Sequence, residues 1–361
     1  MRIGLHAAFF AEGAGGGIER CVRELVAAFG RVAGEHEFVL FTGRGNAGTF
    51  PLPSNFSERA LPVRPENRLQ KVFCDQVLAP LAARKARVDV LFSPGNIGPV
   101  FGFAPRAAMI HDAAPWMRPS PFSFFQALAL RFFFIATARA SDAVIAPSSF
   151  SRAEIARRTG IGPDRIALVP EAGDHLEGGP GAGLPPLILC VASRAAHKNA
   201  EGLLAAYAIL RERRGLRLPL VLLGAAPRPG RPGVIFRDGV SDALLAALYA
   251  SAAVTVVPSF YEGFGLAAAE AMCAGSPVAA ARAGALPETL GPAAVFFDPR
   301  DPRDMARAVA EILDDPALAA RLSRAGRSRS LALTWDACAR GVMEVLAGAA
   351  GKDARRRGRM R

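Results

Sequence analysis

Short apolar segments alternate with amphipathic segments along most of this chain. In the first half, helical spacing of apolar residues is clearest at Ile18–Phe29 and Phe122–Arg139. Between and around these helices, apolar runs of strand length predict strands. They are Arg2–Ala7, Glu37–Thr42, Val88–Ser93, Ala107–His111, Ala143–Ala146 and Ile166–Val169. This alternation predicts a doubly wound parallel sheet.

The second half of the chain repeats the alternation after a Gly/Pro-rich linker at 176–186. Strands are predicted at Leu187–Ala192, Leu218–Leu223, Val234–Phe236, Val254–Val257 and Val278–Ala281. Helices are predicted at Asn199–Arg213, Asp242–Ser251, Leu266–Ala274, Pro302–Leu313, Pro316–Arg329 and Trp335–Ala347. The expected organisation is an α/β protein with domains at 1–175 and 187–334, a basic tail at 349–361, and a cleft at the carboxyl ends of the strands.

One segment, Pro258–Val278, carries the clearest chemistry. A β-branched run ends at Val257, a glycine-bearing turn follows, and a helix begins near Leu266. The free N–H groups of a helix start favour an anion, and a glycine lets a phosphate approach the backbone. Glu262 lies in the turn and Glu270 in the helix, where carboxylates can accept sugar hydroxyls. The donor-binding candidates here are Gly263, Phe264, Gly265, Leu266 and Glu270.

Two glutamates with seven residues between them, around Gly-Phe-Gly-Leu, resemble the signature of retaining glycosyltransferases of family 4, which have the GT-B fold. The resemblance extends over nearly the whole chain and implies that the last helix, 335–348, crosses back to the N-terminal domain. It implies a nucleotide-sugar donor on the C-terminal domain, an acceptor on the N-terminal domain and a transfer that needs no metal. In this interpretation Glu270 holds the ribose, and Glu262 contacts the transferred sugar.

The segment Cys190–Asn199 follows a predicted strand and opens a helix, so its cations lie near a helix start. A departing diphosphate concentrates negative charge, which a positioned cation stabilises. The resemblance places this role on Lys198, with Asn199 beside it. Where the family has Gly-Arg, this chain has Ala192 and Ser193, and Arg194 follows one residue later. We therefore expect Lys198 and Arg194 as catalytic residues, with surface cations at a helix cap as the alternative.

Two further candidates lie in the N-terminal half. His111 ends a predicted strand, at the edge where cleft residues sit in parallel sheets, and the family has a histidine there that contacts the donor sugar. The glycines before the first predicted helix, including Gly16 and Gly17, resemble the family's donor-binding loop. A structural histidine and a plain flexible loop are the alternatives.

Composition and charge narrow the remaining possibilities. The chain has 361 residues, 51% of them hydrophobic, and a formal net charge of +12. Its five scattered cysteines form no Cys-x-x-Cys pair, which argues against a zinc site and against a disulfide framework and favours a reducing cytoplasm. No Asp-x-Asp motif or metal-ligand cluster is visible, so neither a metal nor a cofactor is expected. The basic tail lacks a nucleic-acid recognition motif, so no specific nucleic acid is expected either.

The apolar stretch Pro121–Ala138 is marginal for a membrane span and contains Arg131. It predicts either a helix buried on all sides or one whose second face meets anionic lipid at the inner face of the membrane.

The predicted function is transfer of a sugar, with GDP-mannose favoured over a UDP-sugar as donor, to a glycan or lipid-linked acceptor in polysaccharide assembly. A UDP-sugar 2-epimerase of the same fold and a basic, non-enzymatic binding protein for nucleic acid or membrane are the alternatives.

Overall fold

The computed structural model describes residues 1–13, 16–64, 67–103, 105–117, 124–176, 183–228 and 230–359. The chain forms two compact units. The first comprises Met1–Pro170 together with Trp335–Arg361, and the second comprises Glu171–Thr334. Most of the predicted linker at 176–186 lies outside the described residues.

The first unit is built on a seven-stranded parallel sheet with strand order β3-β2-β1-β4-β5-β6-β7. Its strands are β1 (Arg2–His6), β2 (Glu37–Thr42), β3 (Phe56–Ala60), β4 (Val90–Ser93), β5 (Arg106–Met109), β6 (Ala143–Ala146) and β7 (Ile166–Leu168). Its helices are α1 (Gly16–Val32), α2 (Arg68–Phe73), α3 (Ala79–Lys85), α4 (Ala114–Met117), α5 (Phe124–Ala140) and α6 (Ser149–Thr159). A π-helical turn, Cys74–Leu78, joins α2 to α3.

The second unit has a six-stranded parallel sheet of order β10-β9-β8-β11-β12-β13. The strands are β8 (Leu187–Val191), β9 (Leu220–Leu223), β10 (Val234–Arg237), β11 (Ala252–Val257), β12 (Val278–Ala281) and β13 (Ala294–Phe297). The helices are α7 (Ala200–Arg214), α8 (Asp242–Ser251), α9 (Leu266–Ala274), α10 (Leu286–Leu290), α11 (Pro302–Asp314) and α12 (Pro316–Ser330). Both sheets therefore have the strand order of a Rossmann-like fold.

The last helix, α13 (Trp335–Arg359), belongs to the first unit, where it packs against α1. Trp335, Val342 and Leu346 are fully or almost fully buried along one side of it. Their spacing of seven and four residues places them on one helical face, which explains why this helix returns to the first sheet.

Sequence patterns missed the edge strands β3 and β13 and the helices α2, α3, α4, α6 and α10. The sequence of β3, Phe-Ser-Glu-Arg-Ala, is mostly polar and exposed. An edge strand packs fewer side chains than a central strand, so it needs no continuous apolar run and leaves a weak pattern.

Helix α5 is not buried on all sides. Phe134, Thr137 and Ala138 are buried, but Phe124, Phe125, Leu128 and Phe132 are each more than half exposed. The first predicted residue of this helix, Phe122, lies outside the described residues. Among the helices described, none is long and apolar enough to cross a membrane.

Candidate functional site

Lys198 and Glu262 meet at the carboxyl edge of the second sheet. Lys198 ends a 3₁₀ turn, Ala196–Lys198, that follows β8, and Glu262 lies in the turn that follows β11. Because β8 and β11 are neighbouring parallel strands, both turns emerge at the same edge. The Lys198 Nζ donates a hydrogen bond to Glu262 Oε1 over 2.7 Å. The two side chains are 23% and 12% exposed, so the pair is partly accessible from solvent.

The backbone around this pair is fixed on both sides. The Phe260 N–H donates to His197 O over 2.8 Å, which ties the two turns together. The Ala285 N–H donates to Glu262 O over 3.0 Å. Gly284, with φ of +57°, lies so close that a Cβ atom there would fall 2.4 Å from Glu262 O. The loop after β12 therefore supports the backbone of Glu262, and only glycine fits at position 284.

Asn199 holds the Lys198 turn in place. It adopts a left-handed conformation with φ of 54°, and its Oδ1 accepts a hydrogen bond from the Gly202 N–H at the start of α7. Its amide group donates to Pro258 O over 3.1 Å and to Pro299 O over 2.8 Å. Since both amide hydrogens bond the backbone, the buried Asn199 side chain positions Lys198 instead of presenting donors to a ligand.

The turn before α9 supplies backbone, not side chains. Gly265 caps the helix with φ of 95°, a conformation that side chains disfavour. Phe264 is buried in the hydrophobic core, and its carbonyl accepts a hydrogen bond from Thr289 Oγ1 over 2.6 Å. Gly263, Gly265 and Leu266 thus bring the amino end of a nine-residue helix next to Glu262. Such an end favours an anion.

Glu270 lies on α9 in a buried polar cluster. Tyr249 Oη donates to Glu270 Oε2 over 2.8 Å, and His175 Nε2 lies 3.4 Å from Glu270 Oε1. Gly173 packs against the same helix, where a Cβ atom would fall 2.5 Å from the Glu270 nitrogen. Burial, followed by the charge of Glu270 and its hydrogen bond, raises the pKa of the Tyr249 hydroxyl well above its ordinary value. Tyr249 therefore stays a hydrogen-bond donor that orients the Glu270 carboxylate.

Arg194, expected beside Lys198, points elsewhere. Its side chain is 73% exposed and forms an ion pair with Asp238 at 3.2 Å. An exposed pair of this kind is weak, so Arg194 is not held in any one geometry.

In the first unit, His111 follows β5 as predicted and is buried. Its Nε2 lies 2.6 Å from Pro94 O, so Nε2 carries the proton and donates to this carbonyl. Its backbone N–H donates to Asn96 Oδ1 over 2.7 Å, and its carbonyl accepts from Ser151 Oγ over 2.8 Å. The loop after β4 and helix α6 therefore fix the imidazole ring. Gly16 and Gly17 are exposed at the start of α1, and Gly15 lies outside the described residues.

Two protein-family models divide the chain between them. The model for glycosyltransferase family 4 matches residues 15–175, and the model for glycosyl transferases group 1 matches residues 182–329. This chain belongs to the family 4 glycosyltransferases.

Two curated relatives each match just over half of this chain. It is 34% identical over 223 residues to an MMP α-(1→4)-mannosyltransferase of Mycolicibacterium hassiacum, a match over 58% of this chain and 54% of the relative. It is 32% identical over 219 residues to the O-antigen chain mannosyltransferase B of Escherichia coli, over 54% of this chain and 58% of the relative. The matched region thus spans little more than half the length of each relative.

The solved structure of a sucrose-phosphate synthase from Thermosynechococcus elongatus has the same fold. The TM-score is 0.77 at 23% identity, over 95% of this chain and 98% of that chain. This likeness, together with the two parallel sheets, confirms the predicted GT-B fold.

Sequence reasoning missed Tyr249 and His175, which surround Glu270. Tyr249 lies among the mostly apolar residues of α8, and His175 lies in a 3₁₀ turn, Asp174–Leu176, far from Glu270 in sequence. Neither position carried a signal in the sequence that pointed to Glu270.

Proposed function

We propose that this protein transfers a sugar from a nucleotide-activated donor, GDP-mannose in preference to a UDP-sugar, to a glycan or lipid-linked acceptor, with retention of anomeric configuration. The observation that carries the proposal is the Lys198–Glu262 contact beside the amino end of α9. It places a cation, a carboxylate and a helix start at one edge of a parallel sheet. The names of two mannosyltransferase relatives support the mannosyl donor.

In the proposed complex, the donor lies along the carboxyl edge of the second sheet. Glu270, oriented by Tyr249, accepts hydrogen bonds from the ribose hydroxyls. The backbone of 263–266 and the Lys198 ammonium group bind the diphosphate. Glu262 contacts the transferred sugar. Because the Glu262 carboxylate accepts a hydrogen bond from Lys198, donor binding has to share or replace this contact.

The proposed reaction needs no separate general base. The bond between the sugar C1 and the diphosphate oxygen breaks, and C1 forms a bond to the acceptor hydroxyl oxygen on the same face. The hydroxyl proton passes to the departing diphosphate oxygen. Negative charge on that oxygen grows as its bond breaks, so Lys198 and the α9 dipole stabilise the transition state more than the ground state.

The donor proposal is tested by thermal denaturation of the full chain with GDP, UDP, ADP and TDP. A ligand that binds only the folded state adds about 2.7 kcal/mol at one hundred times its dissociation constant. We expect GDP to raise the melting temperature most. Stabilisation by UDP alone would overturn the GDP preference, and no stabilisation by any of the four would overturn the nucleotide-sugar function.

Product analysis then separates transfer from epimerisation. With the donor and a mixture of glycan and lipid-linked acceptors, we expect a glycosylated acceptor with retained configuration. An epimerised nucleotide sugar formed without acceptor would replace this proposal with a 2-epimerase. Inverted configuration in the product would overturn the retaining mechanism.

We also propose that the first unit contacts anionic membrane through α5. Phe124, Phe125, Leu128 and Phe132 present an exposed apolar surface there, and the chain as a whole is strongly basic. Aromatic residues insert at the bilayer interface, while cations attract anionic headgroups with about 1 kcal/mol per charge near the surface. Co-sedimentation with anionic vesicles at low and high salt tests this. F125D/F132D should weaken binding, and binding equal to wild type would exclude α5.

A further inference from the structure

The first unit contains a cavity at the edge of its sheet opposite to His111. Its volume is about 1090 Å³, comparable with sites that hold organic ligands. Met1, Asp89 and Arg106 line it where β1, β4 and β5 begin. Since parallel strands share their direction, amino and carboxyl ends lie at opposite edges, and a four-residue strand separates them by about 13 Å. This amino-edge cavity is therefore distinct from the proposed donor site.

The side chains of Arg84, Arg87 and Arg106 give the amino-edge cavity a positively charged lining. Arg84 and Arg87, at the end of α3, line it and are exposed, and neither forms an ion pair with a described residue. Among the lining residues that the structure describes, the only carboxylate is that of Asp89, which accepts a hydrogen bond from the Arg2 backbone N–H over 2.7 Å. Guanidinium groups match phosphate oxygens with paired N–H donors.

Arg106 adds a desolvated cation to the same lining. It donates to Val100 O and, over 3.0 Å, to Ala140 O, but its buried Nε–H has no hydrogen-bond partner among the described residues. Burial lowers the pKa of Arg106 below its ordinary value, while the Asp142 carboxylate acts in the opposite direction. An anion bound in this cavity would offset part of that desolvation cost.

The rest of the amino-edge cavity is apolar. Val88, Val100, Phe103, Ala347 and Ala350 line it, and Phe101 lies at its edge with 75% of its surface exposed. A phosphate group alone would fill only a small part of this cavity and would leave its apolar lining exposed to water. The lining therefore matches a molecule with one anionic end and one apolar body.

We infer that the amino-edge cavity binds a phosphorylated amphiphile, with the phosphate on Arg84 and Arg87 and the apolar part against Phe101, Phe103 and α13. The ligand can be a lipid taken from a membrane or a soluble organic phosphate, because both carry this chemistry. The helix that lines the cavity, α13, continues to Arg359 and carries Lys352, Arg355, Arg356 and Arg357 in sequence. This further cationic sequence favours a lipid source.

Calorimetric titration of the full chain with a short-chain phosphatidic acid below its micelle concentration tests the inference. Wild type should bind it, and inorganic phosphate should bind far more weakly. R84Q/R87Q should weaken binding of the lipid by about tenfold per arginine, because each substitution removes a charge-assisted contact. The matched control, R213Q/R217Q, removes two exposed arginines from the second unit and should bind as wild type.

A second variant separates the cavity from general surface charge. Ala347→Trp fills the amino-edge cavity from an exposed position on α13 without changing any charge. It should block the short-chain lipid while circular dichroism and the response to nucleotide remain as in wild type. Binding that is unaffected by A347W, or weakened equally by R84Q/R87Q and R213Q/R217Q, would overturn the inference.

Vesicles then identify the source of the ligand. If phosphatidic acid in phosphatidylcholine vesicles strengthens the binding of wild type more than that of A347W, which keeps the α5 surface, the ligand comes from the membrane. If only the monomeric lipid binds, the ligand is a soluble organic phosphate. Neither result depends on the proposed transfer reaction, because no residue of the donor site is changed.

Discussion

In the second unit, Tyr249 donates a hydrogen bond to the Glu270 carboxylate over 2.8 Å, and Glu270 lies on the helix that follows the Glu262 turn. The tyrosine comes from α8 and the glutamate from α9. Because the pKa of Tyr249 is raised by burial and by Glu270, this hydroxyl keeps its proton at any physiological pH. One oxygen of Glu270 is thus engaged, and the carboxylate is held in a single orientation for a ligand.

Glu270→Ala should weaken binding of the nucleoside diphosphate by about 10- to 100-fold, since a charged hydrogen bond contributes about 1.5–3 kcal/mol. Tyr249→Phe keeps the carboxylate and removes only its orientation, so it should weaken binding less. Calorimetric titration measures both, with circular dichroism as the control for folding. Unchanged affinity in E270A would remove Glu270 from the donor site.

Lys198→Ala should lower kcat by about 100-fold or more while changing donor affinity less, because the charge that Lys198 meets grows in the transition state. Arg194→Ala is the matched control. It removes a cation of the same loop that is 73% exposed and paired with Asp238, and it should change kcat little. A loss of donor affinity alone in K198A, with normal kcat, would contradict the role of Lys198.

Gly284→Ala should lower the free energy of unfolding and impair transfer together. Its Cβ atom would fall 2.4 Å from Glu262 O, so the Glu262 turn has to move. Gly215→Ala is a control with nearly the same backbone strain: its φ is +62°, and a Cβ atom there meets nothing within 4 Å. G215A should cost about 1–2 kcal/mol from strain alone. Equal activity in the two variants would show that the Glu262 turn tolerates displacement.

Cys190 should make the folded protein less stable at high pH. Burial raises the pKa of this thiol to about 12, with Lys198 opposing the shift and Glu262 adding to it. The unfolded thiol titrates near pH ~8.5. The stabilising contribution is therefore complete below about pH 8.5 and is lost as the pH rises toward the folded pKa.

Urea denaturation between pH 8.5 and 10 measures this effect. Wild type should lose up to about 1.4 kcal/mol per pH unit more than Cys190→Ala, because it binds one more proton when folded than when unfolded. Identical slopes for the two proteins would rule out a raised thiol pKa.

Transfer activity should persist in excess EDTA, since the sequence contains no Asp-x-Asp motif and Lys198 supplies the positive charge that a metal would otherwise provide. Initial rates with and without EDTA check this. Loss of activity in EDTA that magnesium or manganese restores would contradict the metal-independent mechanism.

The sequence by itself determined the strand and the helix around the proposed donor site, because each is fixed by residues close to it in sequence. The β-branched run before Pro258, the glycines at 263 and 265 and the alanine-rich helix after Leu266 each fix the backbone within a few residues. In the structure α9 has the expected bounds, and β11 begins two residues before its expected start. The alternation of strands and helices also determined the two parallel sheets, and their agreement with the family resemblance gave the GT-B fold.

Only the tertiary structure decided which side chains meet. Lys198 and Glu262 are 64 residues apart and touch because β8 and β11 are neighbours in the sheet. Tyr249 and His175 come to Glu270 from other elements, and Arg194 turns to Asp238. The same holds for α5, because the spacing of its phenylalanines allowed both a helix buried on all sides and one with a lipid-facing surface. Periodicity shows how apolar residues are spaced along one element, whereas contact depends on which elements the packed fold places beside it.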